Sequence, residues 1–175
     1  NKPANVEIEM GTPVSKIIEM TGGMRNGNKL KAFIPGGSSV PMLPASKVDV
    51  PYDYESLKEA GTMLGSGALI VMDETTNIVE ATMRLAYFYM HESCGKCTPC
   101  REGTRWMYQI LSDIQGKKGS HKQIEKLEDI CDNMSFKCFC ALGDAAVAPV
   151  ASSIMNFRSD YEELIKKVEG DAVTA

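Results

Sequence analysis

The sequence predicts an α+β chain in which a small sheet-containing half precedes an all-helical half. In the first half, short apolar segments alternate with glycine- and proline-rich stretches, as in strands joined by turns. In the second half, apolar residues recur every three or four positions, as in helices. All six cysteines also lie in the second half. We therefore expect one domain over residues 1–75 and a second over residues 76–175.

Composition narrows the class of protein. The chain has 175 residues, 43% of them hydrophobic, which is enough to bury a core. Its formal net charge is −4 and its pI is about 5.3, whereas a nucleic-acid-binding protein would present a basic face. No apolar run reaches the roughly 18 to 20 residues of a membrane span, so we expect no direct membrane insertion.

The chain should begin with a strand and a helix. Residues 6–10 (VEIEM) alternate between apolar and acidic side chains, which is the period of a half-buried strand. Thr12 is then suited to cap a helix that has Pro13 at its first position. Residues 21–23 (TGG) end this helix, with a glycine available for a left-handed cap.

Further along the first half we expect two more strands and a loop. Residues 30–34 (LKAFI) predict a strand, and residues 68–72 (ALIVM) predict a short buried one. Residues 35–44 (PGGSSVPMLP) are typical of a loop, and residues 53–60 are suited to one or two helical turns. A small mixed sheet with one crossing helix fits this order.

Five helices are predicted in the second half. Their apolar residues span Ile78 to Tyr89, Trp106 to Ile114, Ile124 to Met134, Val147 to Met155 and Leu164 to Val168. Thr76 or Asn77 is expected to cap the first helix, and Asp144 the fourth. Ser159 and Glu162 have the spacing of a capping box before the last helix.

Three of the six cysteines lie inside the segment ESCGKCTPCREGTR, in a stretch of seven residues. Cys94, Cys97 and Cys100 follow each other at steps of three, and Cys131, Cys138 and Cys140 come later. A disulfide framework would spread its cysteines through a short secreted chain. The clustering instead favours a metal site in a reducing compartment. Of the later three, Cys131 falls on the apolar stripe of a helix and is expected to be a buried structural thiol.

The spacing favours a [4Fe–4S] cluster over zinc. Such a cluster needs four thiolates, one per iron, and an even triplet can supply three of them. Zinc sites commonly combine two C-x-x-C pairs, and Cys138 and Cys140 are too close together to form the second. Thr104 and Arg105 stand where a two-cluster ferredoxin would have cysteine and proline. A zinc-stabilised interaction module remains the alternative.

Other residues of this loop have roles that suit such a site. Gly95 allows the backbone to approach the cluster closely, and Pro99 stiffens the loop. Lys96 and Arg101 add positive charge, which would raise the reduction potential by stabilising the reduced cluster. Plain solvation of these two side chains is the alternative.

ESCGKCTPCREGTRW, with CALGDAA about 40 residues later, resembles the C-terminal part of the NADH-binding flavoprotein subunit of respiratory complex I. The same module occurs in NAD-linked hydrogenases and NAD-linked formate dehydrogenases. The segments GTPVSKIIEMTGG, KLKAFIPGGSSVPMLP and GSGALIVMDETTNIVEATM resemble the soluble-ligand-binding β-grasp (SLBB) domain of that subunit. The resemblance thus implies a ubiquitin-like β-grasp domain over residues 1–75 and a helical-bundle [4Fe–4S] domain over residues 76–175.

The resemblance also implies which residues act. Matched position by position, the cluster ligands are Cys94, Cys97, Cys100 and Cys140, and no residue of the chain is a catalytic acid or base. Cys138 departs from the family pattern and is kept as an alternative fourth ligand. In the family, NADH reduces FMN, and single electrons then pass through this cluster to further iron–sulfur centres.

The family's FMN and NAD(H) sites lie in an N-terminal domain with a glycine-rich loop. We find no such segment here, since PGGSS is typical of a β-turn, so we expect the chain to be the C-terminal part of a larger subunit and inactive alone. The implied partners are that FMN/NADH-binding domain and neighbouring iron–sulfur subunits of the peripheral arm, including a [2Fe–2S] thioredoxin-like subunit. The implied location is the cytoplasmic side of the bacterial inner membrane, or the mitochondrial matrix side. As a further alternative, the loop at 35–44 would bind a small ligand, although it supplies no convergent charged groups.

Overall fold

The computed structural model describes residues 1–173, with side chains described through Lys166. The chain divides into two compact units between Thr76 and Asn77. The first unit contains a small three-stranded sheet and two short helices, and the second contains four longer helices. This is the α+β class that the sequence predicts.

The sheet of the first unit is antiparallel throughout. Its strands are β1 (Leu30–Ile34), β2 (Leu43–Pro44) and β3 (Ile70–Asp73). They lie in the order β2-β1-β3, and Phe33 of β1 faces Leu43 on one side and Val71 on the other. The strand at 30–34 is confirmed, but the expectation of a mixed sheet is wrong because both strand pairs are antiparallel.

The third strand is less buried than its sequence predicts. Only Met72 is buried, while Ile70 and Val71 are 38% and 42% exposed. The strand also starts at Ile70 rather than at Ala68. It lies at the edge of the sheet, where one of its flanks has no neighbouring strand. An apolar run alone does not distinguish such an edge strand from a central one.

The N-terminal segment is not a strand. Residues 6–10 form no ladder with any strand of the described chain, although Ile8 packs against the core of the first unit. Pro13 rather than Thr12 occupies the N-cap of α1 (Val14–Met20), and the Thr12 hydroxyl instead donates to the carbonyl of Glu9 at 2.7 Å. The predicted helix is therefore confirmed, with its cap displaced by one residue.

The residues at the end of α1 and at the start of the next helix are of the types that favour helix capping. Helix α1 ends at Met20 with Thr21 as its C-cap, and Gly22 then has a φ of +88°, the left-handed conformation expected there. Helix α2 (Tyr54–Glu59) confirms the helical turns predicted at 53–60. Its N-cap is Asp53, whose carboxylate accepts the N–H of Ser56 at 2.7 Å.

The second unit consists of four helices. They are α3 (Ile78–Glu92), α4 (Thr98–Gln115), α5 (His121–Met134) and α6 (Leu142–Val173). Asn77 caps α3 by accepting the N–H of Glu80 at 3.0 Å, which decides between the two predicted caps. Across residues 1–173, every helix falls short of the combined length and hydrophobicity that a membrane-crossing helix needs.

The two helices expected after residue 141 are present as two helical segments of α6, which meet at a kink at Phe157, where φ is −137° and ψ is 34°. The second segment already includes Ser159, so the predicted capping box there is wrong. The buried hydroxyl of Tyr161 bonds to Ser153 at 2.6 Å, so one side-chain hydrogen bond spans the bend. Burial raises the pKa of Tyr161 to about 12, as expected for a hydroxyl held away from water. The side chain of Val168 lies outside the described residues.

The core of the helical unit brings α4 and α5 into close contact. A Cβ atom added at Gly103 would lie 2.3 Å from Sδ of Met134, so α5 approaches α4 across a position that has no side chain. Cys131 is 3% exposed and lies 3.9 Å from Sδ of Met107. Burial raises the pKa of the Cys131 thiol to about 12. Cys131 is therefore the buried structural thiol that the apolar stripe predicts.

Candidate metal centre

The loop that carries the first cysteines joins α3 to α4 and is braced by Ser93. This residue is the C-cap of α3, and its Oγ accepts the N–H of Gly95 at 3.3 Å. The same Oγ lies 3.2 Å from Sγ of Cys100. Gly95 has a φ of +77°, which an L-residue with a side chain rarely adopts, so glycine is required for this turn. The sequence contains no obvious signal for the role of Ser93.

Two of the three loop cysteines lie at the start of α4. Cys97 is the N-cap and Cys100 lies in the first turn, while Pro99 occupies an early position where its missing N–H breaks no helical bond. The apolar spacing predicts this helix only from Trp106, about two turns too late. The first N–H groups of a helix have no partner within it and carry partial positive charge, which favours negatively charged thiolates.

Arg101 braces the loop through its guanidinium group. Nη1 donates to the carbonyl of Gly95 at 2.8 Å, and Nε pairs with the Glu102 carboxylate at 2.8 Å. Part of its positive charge is therefore offset by a neighbouring acid. Lys96 is exposed to solvent. Arg101 thus acts first as a clamp on the turn at Gly95.

The later cysteines lie in the segment 135–141, which joins α5 to α6. Within it, Phe136 adopts a φ of +57°, and its N–H donates to Oδ1 of Asp144 at 2.7 Å. Helix α6 begins at Leu142, so Asp144 lies inside its first turn. The expectation that Asp144 caps the helix is therefore wrong, because its carboxylate holds the preceding segment instead.

A backbone contact joins the two cysteine-bearing segments. Phe139, which lies between Cys138 and Cys140, donates its N–H to Sγ of Cys97 at 3.2 Å. The segment 135–141 is thus placed beside the start of α4, although 42 positions separate the two bonded residues. The Phe139 ring does not take part, since 92% of the residue is exposed.

The predicted ligands differ in their exposure. Cys94 and Cys140 are exposed, Cys97 is half-buried and Cys100 is buried. Among the described residues, no three His, Cys, Asp or Glu side chains are grouped closely enough to hold a metal ion. A single zinc ion needs all its sulfurs within about 2.3 Å of one point, whereas a four-iron cluster takes one thiolate per iron and so tolerates a wider spread.

Cys138 has an environment of its own. Its Sγ lies 3.9 Å from the carbonyl of Met134, and a Cβ atom added at Gly143 would lie 2.5 Å from it. Burial first, and then the nearby Cys100 and Cys97 thiols, raise the pKa of Cys138. The sequence alone shows only a cysteine near the fourth predicted ligand, because the close approach of Gly143 depends on how α6 is placed.

The donor set fits an iron–sulfur group. Thiolates are the ligands that such clusters use, and backbone N–H groups directed at sulfur are a common means of stabilising them. Here the N–H of Phe139 contacts Cys97, and Ser93 supplies a hydroxyl beside Cys100. These cysteines and hydrogen-bond donors are of the kinds that an iron–sulfur cluster uses.

Comparison with known proteins identifies the same region. Residues 80–164 match the family described as the NADH-ubiquinone oxidoreductase-F iron-sulfur binding region. Over 163 residues, the chain is 52% identical to the F subunit of NADH-quinone oxidoreductase from Streptomyces coelicolor, covering 93% of this chain and 36% of that protein. It is 49% identical over 168 residues to the Rickettsia felis protein of the same name, covering 95% of this chain and 40% of that protein.

A solved structure agrees with these sequence matches. One chain of an NAD+-reducing [NiFe]-hydrogenase in its H2-reduced state superposes with a TM-score of 0.78 at 26% identity, over 89% of this chain and 26% of that chain. The present chain spans little more than a third of the length of the Streptomyces and Rickettsia relatives. The resemblance drawn from the cysteine motifs is confirmed. Residues 80–164 are thus similar to the family of NADH-ubiquinone oxidoreductase-F iron–sulfur binding regions.

Proposed function

We propose that this chain is the electron-transfer portion of an NADH:quinone oxidoreductase flavoprotein subunit. Its ligands for a [4Fe–4S] cluster are Cys94, Cys97, Cys100 and Cys140. The observation that carries the proposal is the hydrogen bond from the Phe139 N–H to Cys97 Sγ, at 3.2 Å. This bond joins the segment that contains Cys140 to the three-cysteine loop. Both segments lie within the residues that match an iron–sulfur binding family. When bound, the cluster supplies one-electron transfer.

The protein's part is to hold and tune the site. Cys97 and Cys100 lie at the positive end of α4, and Cys140 lies just before the start of α6. Hydrogen bonds to the sulfurs stabilise the reduced, more negative state of a cluster. The Ser93 hydroxyl and the Phe139 N–H are positioned to supply two of them. No side chain is needed as a catalytic acid or base.

The surface around the cysteines suits contact with other redox centres. Cys94 and Cys140 are exposed, and so are the rings of Phe136 and Phe139, each residue being 92% exposed. Exposed aromatic residues beside a functional site are typical of protein–protein contacts. We assign this surface to the FMN/NADH-binding domain of the same subunit and to neighbouring iron–sulfur subunits, including a [2Fe–2S] thioredoxin-like one. FMN and NAD(H) are then bound by that FMN/NADH-binding domain, on the cytoplasmic or matrix side of the membrane.

Residues 1–75, which make up nearly all of the first unit, are proposed to be a β-grasp SLBB domain with a packing role. Its small antiparallel sheet and short α1 support that assignment. The segment 35–44, predicted as a loop, ends in β2 and is closely packed: a Cβ atom at Gly36 would lie 2.5 Å from the carbonyl oxygen of Leu64. Such packing favours a structural loop over a ligand-binding one. Residues 76–175 then form the cluster-binding domain.

The second candidate is the equivalent subunit of an NAD-linked hydrogenase. It is favoured by one observation, the superposition on a chain of an NAD+-reducing [NiFe]-hydrogenase with a TM-score of 0.78. The cluster and its ligands would be alike in both enzymes. The two candidates differ in the subunits that assemble around the chain.

Anaerobic purification tests the cluster assignment. We expect a brown protein with about four irons per chain, since each thiolate binds one iron. Cys140→Ser should remove the four-iron cluster, whereas Cys138→Ser should retain it. A colourless protein with one zinc per chain would end the electron-transfer proposal in favour of a zinc-stabilised module. Loss of the cluster in Cys138→Ser but not in Cys140→Ser would reassign the fourth ligand.

A further inference from the structure

We propose that Cys138 is a positioning residue for the cluster site and not a ligand. Its sulfur, held against Gly143, fixes the segment 135–141 so that Phe139 reaches Cys97 and Cys140 is placed at the site. The inference rests on the proposed function, because it concerns how the fourth ligand is brought to the other three.

The sulfur of Cys138 occupies space that only a glycine at position 143 leaves open. A Cβ atom added at Gly143 would lie 2.5 Å from Sγ of Cys138 and 2.9 Å from its Cβ. Gly143 is itself buried at the start of α6. The thiol therefore fills the volume that a side chain at position 143 would take, and a packed interior senses a change of even one methylene group. The glycine of CALGD thus has a specific steric partner.

Cys138 also ties α6 to the other helices of the unit. Its Sγ lies 3.9 Å from the carbonyl of Met134, the last residue of α5. Met134 is in turn held against α4, because its Sδ occupies the space left by Gly103. A continuous set of contacts therefore runs from α4 through Met134 and Cys138 to Gly143 on α6.

The two residues after Cys138 both belong to the site. Phe139 donates its N–H to Cys97, and the next residue is Cys140. Side-chain contacts at 138 therefore set the backbone position from which both the hydrogen bond and the ligand start. The surroundings of the two cysteines also differ: Cys138 is half-buried against protein, while Cys140 is exposed.

The test compares four variants of the full chain, reconstituted with iron and sulfide: Cys138→Ala, Cys138→Ser, Gly143→Ala and Cys131→Ala. The last is a matched control, since it removes a buried cysteine of the same unit that lies outside this segment. The readings are iron per chain, the electron paramagnetic resonance (EPR) spectrum of the reduced protein, the rate of iron release to a chelator, and helical content by circular dichroism.

We expect Cys138→Ala to keep four irons but to release them about 10-fold faster or more, the scale at which residues supporting metal ligands act. Gly143→Ala should have a similar effect, because it displaces the same sulfur. In the Cys138→Ala background, Gly143→Ala should add less than it does alone, since the two residues act on one contact. Cys131→Ala should leave the release rate unchanged.

Two results would overturn the inference. A folded Cys138→Ala protein that loses the four-iron cluster, together with a Cys140→Ser protein that keeps it, would make Cys138 a ligand. Release rates and EPR spectra equal to those of the unmodified protein would show that it positions nothing. If Cys138→Ala lowers the helical content, the same measurements on Cys138→Ser, which keeps a small hydrogen-bond donor, replace those on Cys138→Ala. An unmodified protein that binds no cluster would instead remove the proposed function itself, and this inference with it.

Discussion

The carboxylate of Asp144 accepts a hydrogen bond from the backbone N–H of Phe136, and these two residues lie on either side of Cys138 and Cys140 in the sequence. The distance from the Phe136 nitrogen to Oδ1 of Asp144 is 2.7 Å, and Phe136 has a φ of +57°. A carboxylate that accepts a backbone N–H makes a comparatively strong hydrogen bond. The bond therefore closes the segment into a loop whose two ends are fixed at α5 and α6.

Replacing Asp144 with alanine should loosen this loop. We expect a loss of about 1.5 to 3 kcal/mol in the free energy of unfolding, the usual range for a hydrogen bond to a charged group, together with faster iron release. Asp144→Asn keeps an acceptor oxygen and is the matched control. Its free energy of unfolding and its rate of iron release should therefore be much closer to those of the unmodified protein. Chemical denaturation and chelator kinetics measure the two effects. Equal behaviour of the two variants would argue against the hydrogen bond as the cause.

Gly95→Ala should impair cluster binding through backbone strain. The left-handed conformation at φ +77° costs a residue with a side chain about 1 to 2 kcal/mol. Because Gly95 lies between Cys94 and Cys97, we expect fewer irons per chain after reconstitution. Gly23→Ala is the control: its φ is +71°, but it lies in the first unit with no atom within 4 Å of the added Cβ. A similar iron loss in that variant would contradict this explanation.

Ser93→Ala should lower the reduction potential of the cluster. The Ser93 Oγ lies 3.2 Å from Cys100 Sγ, and only the hydroxyl can donate once the sulfur is an ionised ligand. Loss of a donor disfavours the more negative reduced state, so we expect a fall of tens of millivolts in an EPR-monitored redox titration. Ser93→Thr, which keeps the hydroxyl, should stay near the original value. A rise in potential in Ser93→Ala would contradict the assignment.

Gly103→Ala should destabilise the helical unit by overpacking. The added Cβ would meet Met134 Sδ at 2.3 Å, and such insertions typically cost about 1 to 3 kcal/mol. Since Met134 also contacts Cys138 through its carbonyl, we expect faster iron release as well. Chemical denaturation of Gly103→Ala, Met134→Ala and the double variant measures the coupling between them. Strictly additive effects would show that the two positions do not meet.

Asp73 should make the first unit sensitive to acid. Hydrogen bonds from Thr75 first, and then from Asn28, lower the pKa of this carboxyl from 3.8 to about 2. A lowered pKa in the folded state contributes stability that is present above pH 3.8 and is lost as pH falls towards 2. Unfolding of the unmodified protein and Asp73→Asn should therefore differ at neutral pH and converge as the pH falls to about 2. A difference that persists unchanged to pH 2 would contradict this.

Much of the helical unit could be predicted because its apolar residues repeat at helical spacing. That spacing locates α3 and α5 well, and Asn77 is recognisable as a cap. It fails at α4, whose first two turns carry few apolar residues, so the position of Cys100 inside a helix was missed. In α6 it anticipates two helical segments but misplaces the start of the second, because the kink lies at Phe157 and Ser159 is already helical.

The candidate site likewise has features that the sequence predicts and features that it does not. The even spacing of three cysteines indicates the cofactor, and the resemblance at CALGD indicates a fourth ligand. The contacts that organise these residues depend on the packing of helices, which local pattern does not encode. The approach of Gly143 to Cys138 is one such contact, and the hydrogen bond between Asp144 and Phe136 is another. Alternation likewise predicted a strand at 6–10, but a strand also needs an available neighbour.

The position of α5 between the two cysteine segments has a thermodynamic consequence. Any group bound by both Cys100 and Cys140 closes a covalent ring through the chain that contains most of α4 and all of α5. Ring closure removes conformational freedom from the unfolded chain, and a bound metal group adds its binding free energy to folding. The helical unit should therefore melt at a higher temperature with its cofactor than without it. The same ring means that Cys100 and Cys140 are brought together only when the α4–α5 hairpin has formed.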